Sequence, residues 1–305
     1  MQAMSPVIEF DNVYRRFDKD VVLRGLDFRV EEGQIFALLG RNGTGKTTAL
    51  RILLGFLAPH HGEARVLGVP STRFGPTERG AIGYVNEGHK MYGELTVAQT
   101  LSFEDGTRPR FQRKFADEAI RRLGLPPRKH VRFLSRGQRA QLALVIAIAS
   151  RPKVLVLDDP ALGLDTVLRR EFLDVMIDFL SGHGATVLFS SHILSDVERV
   201  ADRIGILDQG RLLVDAPLED LRTRVEMRTW RGDSLPSLPC ILRSKPGPIT
   251  TELCLLDPSA DDLAKLAANG NHLSEATHLG LEDLFLQLTQ TAGTAGLADA
   301  LAKHR

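Results

Sequence analysis

No stretch of this chain is long enough and apolar enough to read as a membrane span. The most apolar run, LALVIAIAS at 142–150, falls well short of the roughly 20 residues a spanning helix needs, and it predicts a buried helix instead. The opening MQAMSPVIEF has no basic segment followed by an apolar core, so no export signal is read there and a cytosolic chain is expected. Cysteine is scarce. Cys240 and Cys254 are expected to be ordinary reduced thiols and not a disulfide framework. Charge of one sign is missing as well. The 39 Lys+Arg and 38 Asp+Glu leave a net +1, which gives no electrostatic footprint for nucleic acid. Internal repeats and heptad runs are absent too. What remains is an ordinary globular composition, 43% hydrophobic and 25% charged, over 305 residues. That is enough for one large domain, or one large and one small.

The most informative positive feature is Gly40-Arg41-Asn42-Gly43-Thr44-Gly45-Lys46-Thr47, followed by Thr48. It fits the phosphate-loop pattern of Gly, four residues, then Gly-Lys-Thr. Glycines let consecutive backbone N–H groups close around a phosphate. The helix that follows points its positive end at the same anion. Lys46 is expected to reach the β- and γ-phosphates, and the Thr47 hydroxyl to ligate Mg²⁺. GQIFALLG before the loop has strand length, and KTTALRILLGFL after it has helical spacing. The loop therefore sits at the C-terminal end of a strand, where open α/β sheets bind ligands.

Residues 6–39 read as strands with tight turns, one at EEGQ, 31–34. EARVLGV (63–69) and AIGYV (81–85) are further strand candidates. From about 95 to 150 the period becomes helical. KVLVLDDP (153–160) is a buried strand running into acids, a helix is expected over 166–180, and ATVLFSSH (185–192) is another apolar strand. RIGILDQGRLLVDA (203–216) reads as a hairpin turning at Asp208-Gln209-Gly210. The order argues an α/β core with a helical insert between the phosphate loop and VLVLDD. Near 225–250 DSLPSLP and SKPGPI suggest a linker or the loops of a small extra domain. TELCLLD beyond them is a strand candidate, ADDLAKLAANG and LEDLFLQLTQ are helix candidates, and the tail TAGTAGLADALAKHR reads as frayed or weakly helical.

Four more elements follow the loop: LSRGQ at Leu134–Gln138, Asp158 and Asp159 closing VLVLDD, LGLD at Leu162–Asp165, and His192 after an apolar strand. Ser135 is a good helix N-cap type, and Gly137 has no side chain to obstruct a phosphate. In order and spacing these motifs resemble the nucleotide-binding subunit of ATP-binding cassette (ABC) transporters, over roughly 5–215. The resemblance implies a P-loop NTPase (RecA-like) α/β core with an antiparallel β-subdomain and an inserted helical signature subdomain at about 88–150. It implies a cassette at 5–216 and a small α+β C-terminal extension at 217–305. GLEDLFLQLT resembles the closing helix of exporter-type members. The extension's role stays open between dimerisation, regulation and a cap on the core.

The resemblance also implies roles. Two copies close head to tail over two ATP molecules, and Ser135, Gly137 and Gln138 of one grip the γ-phosphate held by the loop of the other. Asp158 holds Mg²⁺, Asp159 positions or deprotonates water, His192 contacts the γ-phosphate, and Asp165 communicates across the dimer. Phe17 stacks on adenine, with Tyr14 the competing candidate. The implied partners are an integral-membrane permease, gripped by the 87–110 segment, and a second ATP-binding subunit, identical or different. No nucleic acid is expected. The chain would then work in the cytoplasm, peripheral on the inner face of the cell membrane. The competing readings are a soluble ABC ATPase acting on a non-membrane complex and a weakly hydrolysing regulatory subunit.

Three positions depart from the family's pattern. Arg136 stands in the signature where Gly is common, Asp159 where Glu is usual, and Asn86-Glu87 where a Gln normally ligates Mg²⁺. Glu87 aligns best with that Gln. A carboxylate can ligate Mg²⁺ but cannot donate as an amide does. Similar departures occur together in some exporter ATPases, which points the resemblance towards export.

Overall fold

The structure is a computed structural model that describes residues 6–268 and 270–289. The tail TAGTAGLADALAKHR and Gln290 lie outside the described residues. The chain divides into two compact units, one of 1–201 with 207–212 and one of 202–206 with 213–305.

In the first unit β1 (Pro6–Phe17) and β2 (Asp20–Glu31) form an antiparallel hairpin closed where Phe17 faces Asp20. The inward side chains of β2, Leu23, Leu26, Phe28 and Val30, are buried. Next come β3 (Ile35–Leu39), α1 (Lys46–Leu53), β4 (His61–Val66) and β5 (Val69–Pro70). The antiparallel sheet runs β2-β1-β4-β5. EARVLGV is therefore two strands. Leu67 and Gly68 both take positive φ, +53° and +77°, and a two-residue hairpin turn requires that at both positions. Phe28 stacks between Phe10 and Phe36, with ring centroids 4.5 and 5.0 Å away. This aromatic column joins β1, β2 and β3 in one core.

After α2 (Pro76–Gly80) and β6 (Ile82–Val85) come three helices, α3 (Val97–Thr107), α4 (Arg113–Arg122) and α5 (Arg136–Ala149). They share a separate core containing Leu101, Ile120, Leu142 and Val145. The apolar run at 142–150 is thus a helix buried inside the protein. Strand β7 (Val154–Asp158), α6 (Thr166–His183), β8 (Thr186–Ser191) and α7 (Leu194–Val200) complete the unit. Here the parallel strands lie in the order β3-β8-β7-β6. Every residue of β7 and β8 is buried, as a parallel sheet covered on both faces requires. That order places the C-terminal ends of β3, β7 and β8 side by side.

Strands β9 (Arg203–Asp208) and β10 (Arg211–Pro217) turn at Gln209-Gly210, both with positive φ. The 207–212 turn counts with the first unit. In the second unit α8 (Leu218–Arg224) leads into β11 (Val225–Arg231), β12 (Ile241–Pro246), β13 (Thr251–Leu256), α9 (Ala260–Ala267), β14 (His272–Leu273), β15 (Thr277–His278) and α10 (Leu281–Thr289). The sheet order is β12-β13-β11-β14, with β15 also on β11. The Pro-rich 225–250 region thus carries two strands of a small α+β unit and is not a bare linker. Trp230 is buried there, and its indole N–H donates to the Leu266 carbonyl at 2.9 Å. Cys240 and Cys254 are free and buried. Among the described residues no helix is long and apolar enough to cross a membrane.

Candidate functional site

Strand β3 ends at Leu39 and α1 begins at Lys46, so Gly40–Gly45 must reverse the chain within one loop. Gly43 and Gly45 take φ +82° and +111°, conformations open to glycine at little cost. A Cβ on Gly40 would meet the Leu207 carbonyl oxygen at 2.5 Å. Gly45 supplies no side-chain cap to α1, and the first turn holds no acid. The helix's unpaired N–H groups and its positive end therefore remain available to an anion. Lys46 Nζ donates to the carbonyls of Gly40 (2.7 Å) and Arg41 (3.1 Å). Arg41 serves through this carbonyl, which also accepts from the Thr44 hydroxyl at 2.9 Å.

The loop forms one wall of a cleft of about 520 Å³. Asn42, Gly43, Gly45, Lys46, Thr47 and Thr48 line it, facing Glu87, Asp158, Asp159 and Ser190, with Phe17 and Val22 at another side. The Phe17 ring is 44% exposed and carries the Arg15 guanidinium 4.7 Å from its centroid. Tyr14 does not line the cleft and sets its ring edge against His61. Of the two aromatic candidates, Phe17 is the one that lines the cleft.

Asp158 ends β7 and is 2% exposed. Its Oδ1 accepts from Thr47 Oγ1 at 3.1 Å and from Ser190 Oγ at 3.0 Å. Burial raises its pKa, opposed by those two hydrogen bonds. Asp159 has φ +46°, and its N–H donates to Ser190 Oγ at 2.9 Å. Its Oδ2 lies 2.7 Å from His192 Nδ1. Burial raises the Asp159 carboxyl as well, against the His192 hydrogen bond. Lys46 is pushed down by burial and held up by Asp159, Asp158 and Glu87. His192 meets the cleft through Asp159. One ammonium and three carboxylates thus line the same cleft.

Among the described residues no group of three or more His, Cys, Asp or Glu forms a metal centre by itself. Thr47 and Asp158 instead present paired hard oxygens beside the phosphate loop. That fits Mg²⁺, which takes one or two protein oxygens together with substrate phosphates.

The signature residues stand outside this cleft. Ser135 caps α5, accepting from the Gln138 N–H at 3.1 Å, while the Gln138 side chain accepts from the Ser135 N–H at 3.1 Å. This reciprocal box occupies the Gln138 amide oxygen. Gly137 is buried, and a Cβ there would fall 2.5 Å from Leu168 Cδ1. The local demand for glycine at 137 is thus packing against α6, a reason the sequence reading did not include. Asp165 caps α6, accepting from the N–H groups of Val167 and Leu168 at 3.0 Å each. Sequence reasoning missed Ser190. Its SSH motif marked the strand end, but only the pairing of β7 with β8 sets the hydroxyl between both acids.

Residues 23–162 match the family profile described as ABC transporter. The chain is 33% identical over 216 residues to the ABC transporter ATP-binding protein YtrB of Bacillus subtilis (strain 168), covering 71% of this chain and 74% of that one. It is 30% identical over 226 residues to the bacitracin transport ATP-binding protein BcrA of Enterococcus faecalis, covering 73% of each. A solved structure described as an ATP binding subunit of an ABC transporter aligns with a TM-score of 0.65 and 27% identity, over 71% of this chain and 92% of that chain.

Proposed function

The chain belongs to the ABC transporter ATP-binding family and is an ATPase, and we propose that it powers an exporter through ATP-driven closure of a dimer. The observation that carries the dimer is the separation of half-sites. Lys46, Asp158 and Asp159 line one cleft, and Ser135 at the start of α5 does not. A signature that grips phosphate would do so on a second ATP-binding subunit, identical or different.

In this mechanism the loop N–H groups and Lys46 bind and orient the triphosphate. Phe17 stacks on the base. Asp159, oriented by His192 and by Ser190 under its backbone, positions the attacking water and accepts its proton. Mg²⁺, held by Thr47 and Asp158 with Glu87 nearby, would neutralise charge on the transferring phosphoryl group. Hydrolysis removes the γ-phosphate that joins the halves, and the dimer opens.

The partner would be an integral-membrane permease, and the chain would lie in the cytoplasm against the inner face of the cell membrane. A second cleft of about 720 Å³ supports this reading. Phe56, Phe74 and Tyr84 line it together with Arg79, Arg110 and Arg108, the last paired with Glu104. Phe56 is 59% exposed. Such a groove suits a short amphipathic helix with an acidic group. The name of the bacitracin transport relative supports a role in transport, and the combined departures at Arg136, Asp159 and Glu87 support export as its direction. The cassette would span 5–216, with 217–305 as an extension. Affinity capture of this chain from detergent-solubilised native membranes tests the proposal. A multi-span membrane protein in stoichiometric amount is expected. Capture of ribosomal or DNA-associated proteins alone would overturn it.

A further inference from the structure

His89 follows Glu87 and Gly88 in the turn after β6 and is 2% exposed. Its φ is +52°, a left-handed conformation that a residue with a Cβ adopts at a cost. Its Nε2 lies 2.9 Å from the carbonyl oxygen of Pro160, 71 residues away. A carbonyl only accepts, so Nε2 carries the proton and, in the neutral ring, Nδ1 is a bare acceptor. That Nδ1 is buried without a hydrogen-bond partner among the described residues. Burial pushes the ring's pKa down, the Pro160 hydrogen bond opposes this, and Arg139 and Arg136 add to it. Strain in the backbone and an orphaned acceptor are both unfavourable. An apolar side chain of similar volume would avoid the second. What the histidine alone supplies at this position is the bond to Pro160.

Pro160 directly follows Asp159, whose backbone is itself left-handed. Ser190 holds the N–H of Asp159 on the entry side of this turn. On the exit side the Pro160 carbonyl is held by His89. We propose that His89 is a positioning residue that ties the Glu87 turn to the Asp159 turn, so that both carboxylates face the same phosphates. It is buried and is not among the residues that line the cleft. The inference rests on the reading of Asp159 as the water-positioning group and adds the tether that sets its place.

The test is steady-state ATP turnover and fluorescent-ATP binding on the full chain, with variants His89→Leu, His89→Gln and His89→Asn beside Asp159→Asn. A glutamine amide nitrogen falls near the Nε2 position, and an asparagine amide nitrogen falls near Nδ1. The expected result is a kcat about tenfold lower in His89→Leu with KM within about twofold. His89→Gln recovers most of the rate and His89→Asn does not. A wild-type kcat in His89→Leu, or equal rates in the Gln and Asn variants, would overturn the inference. If His89→Leu does not fold, the Gln–Asn comparison decides. Full turnover in Asp159→Asn overturns the Asp159 reading and this inference together. An inactive Asp159→Asn beside an unaffected His89→Leu overturns the inference alone.

Discussion

The guanidinium of Arg136 lies directly against the Cα of Gly163. A Cβ at 163 would overlap Arg136 Nη1, and Gly163 has φ +74° besides. The signature and the LGLD turn are thus in contact within one chain, and the residue that departs from the family's usual signature is the one making the contact.

Gly163→Ala is expected to destabilise the protein by about 1–2 kcal/mol, from the left-handed backbone and the displaced guanidinium. Arg136→Ala relieves the overlap and leaves the backbone term. Denaturant unfolding of the two single variants and the double variant measures this. The double variant should lose less than the sum of the singles, and strict additivity would contradict the contact.

Asp159→Asn is expected to lower kcat by about a hundredfold or more, with ATP binding retained. In the proposed mechanism Asp159 works as the carboxylate, and burial raises its pKa. It therefore takes up a proton at a higher pH than an exposed aspartate does. In the wild type the acid limb of kcat/KM for ATP should lie above the ordinary aspartate value of about 3.9. A limb at the ordinary value would contradict a raised Asp159 carboxyl in control of the rate.

Glu87 adds a third carboxylate to the cleft that already holds Asp158 and Asp159. Before a cation is present, all three repel a triphosphate. Glu87→Gln is expected to bind a fluorescent ATP analogue roughly fivefold more tightly in EDTA, from one fewer charge in a partly screened site. The gap should close as Mg²⁺ is added, which makes the wild type the more Mg²⁺-dependent of the two. Superimposable Mg²⁺ titrations would remove Glu87 from the metal site.

Burial pushes the Cys254 thiol up to about 11 and raises Cys240 as well. A raised pKa means less thiolate at pH 8, and both sulfurs are buried. A thiol reagent at that pH should label the native protein slowly and both cysteines at once on unfolding in guanidinium. Rapid labelling of the folded chain would contradict the packing of the second unit.

Features whose physics is local can be read from the residues alone. The phosphate loop is legible because glycine, lysine and threonine act within a few residues of one strand end. Ser135 and Gln138 form their capping box across a single helical turn, and the apolar runs of β3, β7 and β8 announce a sheet covered on both faces. Tertiary structure decided what joins distant segments. It set Ser190 beneath both acids, brought His89 to Pro160, pressed Arg136 on Gly163 and Leu168 on Gly137, and separated Phe17 from Tyr14. It also divided 63–69 into two strands and built strands from a Pro-rich stretch. Periodicity reports which face of an element is apolar, and it carries no information about which strands become neighbours. The order β3-β8-β7-β6 is what brings the phosphate loop, Glu87, Asp158–Asp159 and Ser190, each at the end of a different strand, into one cleft.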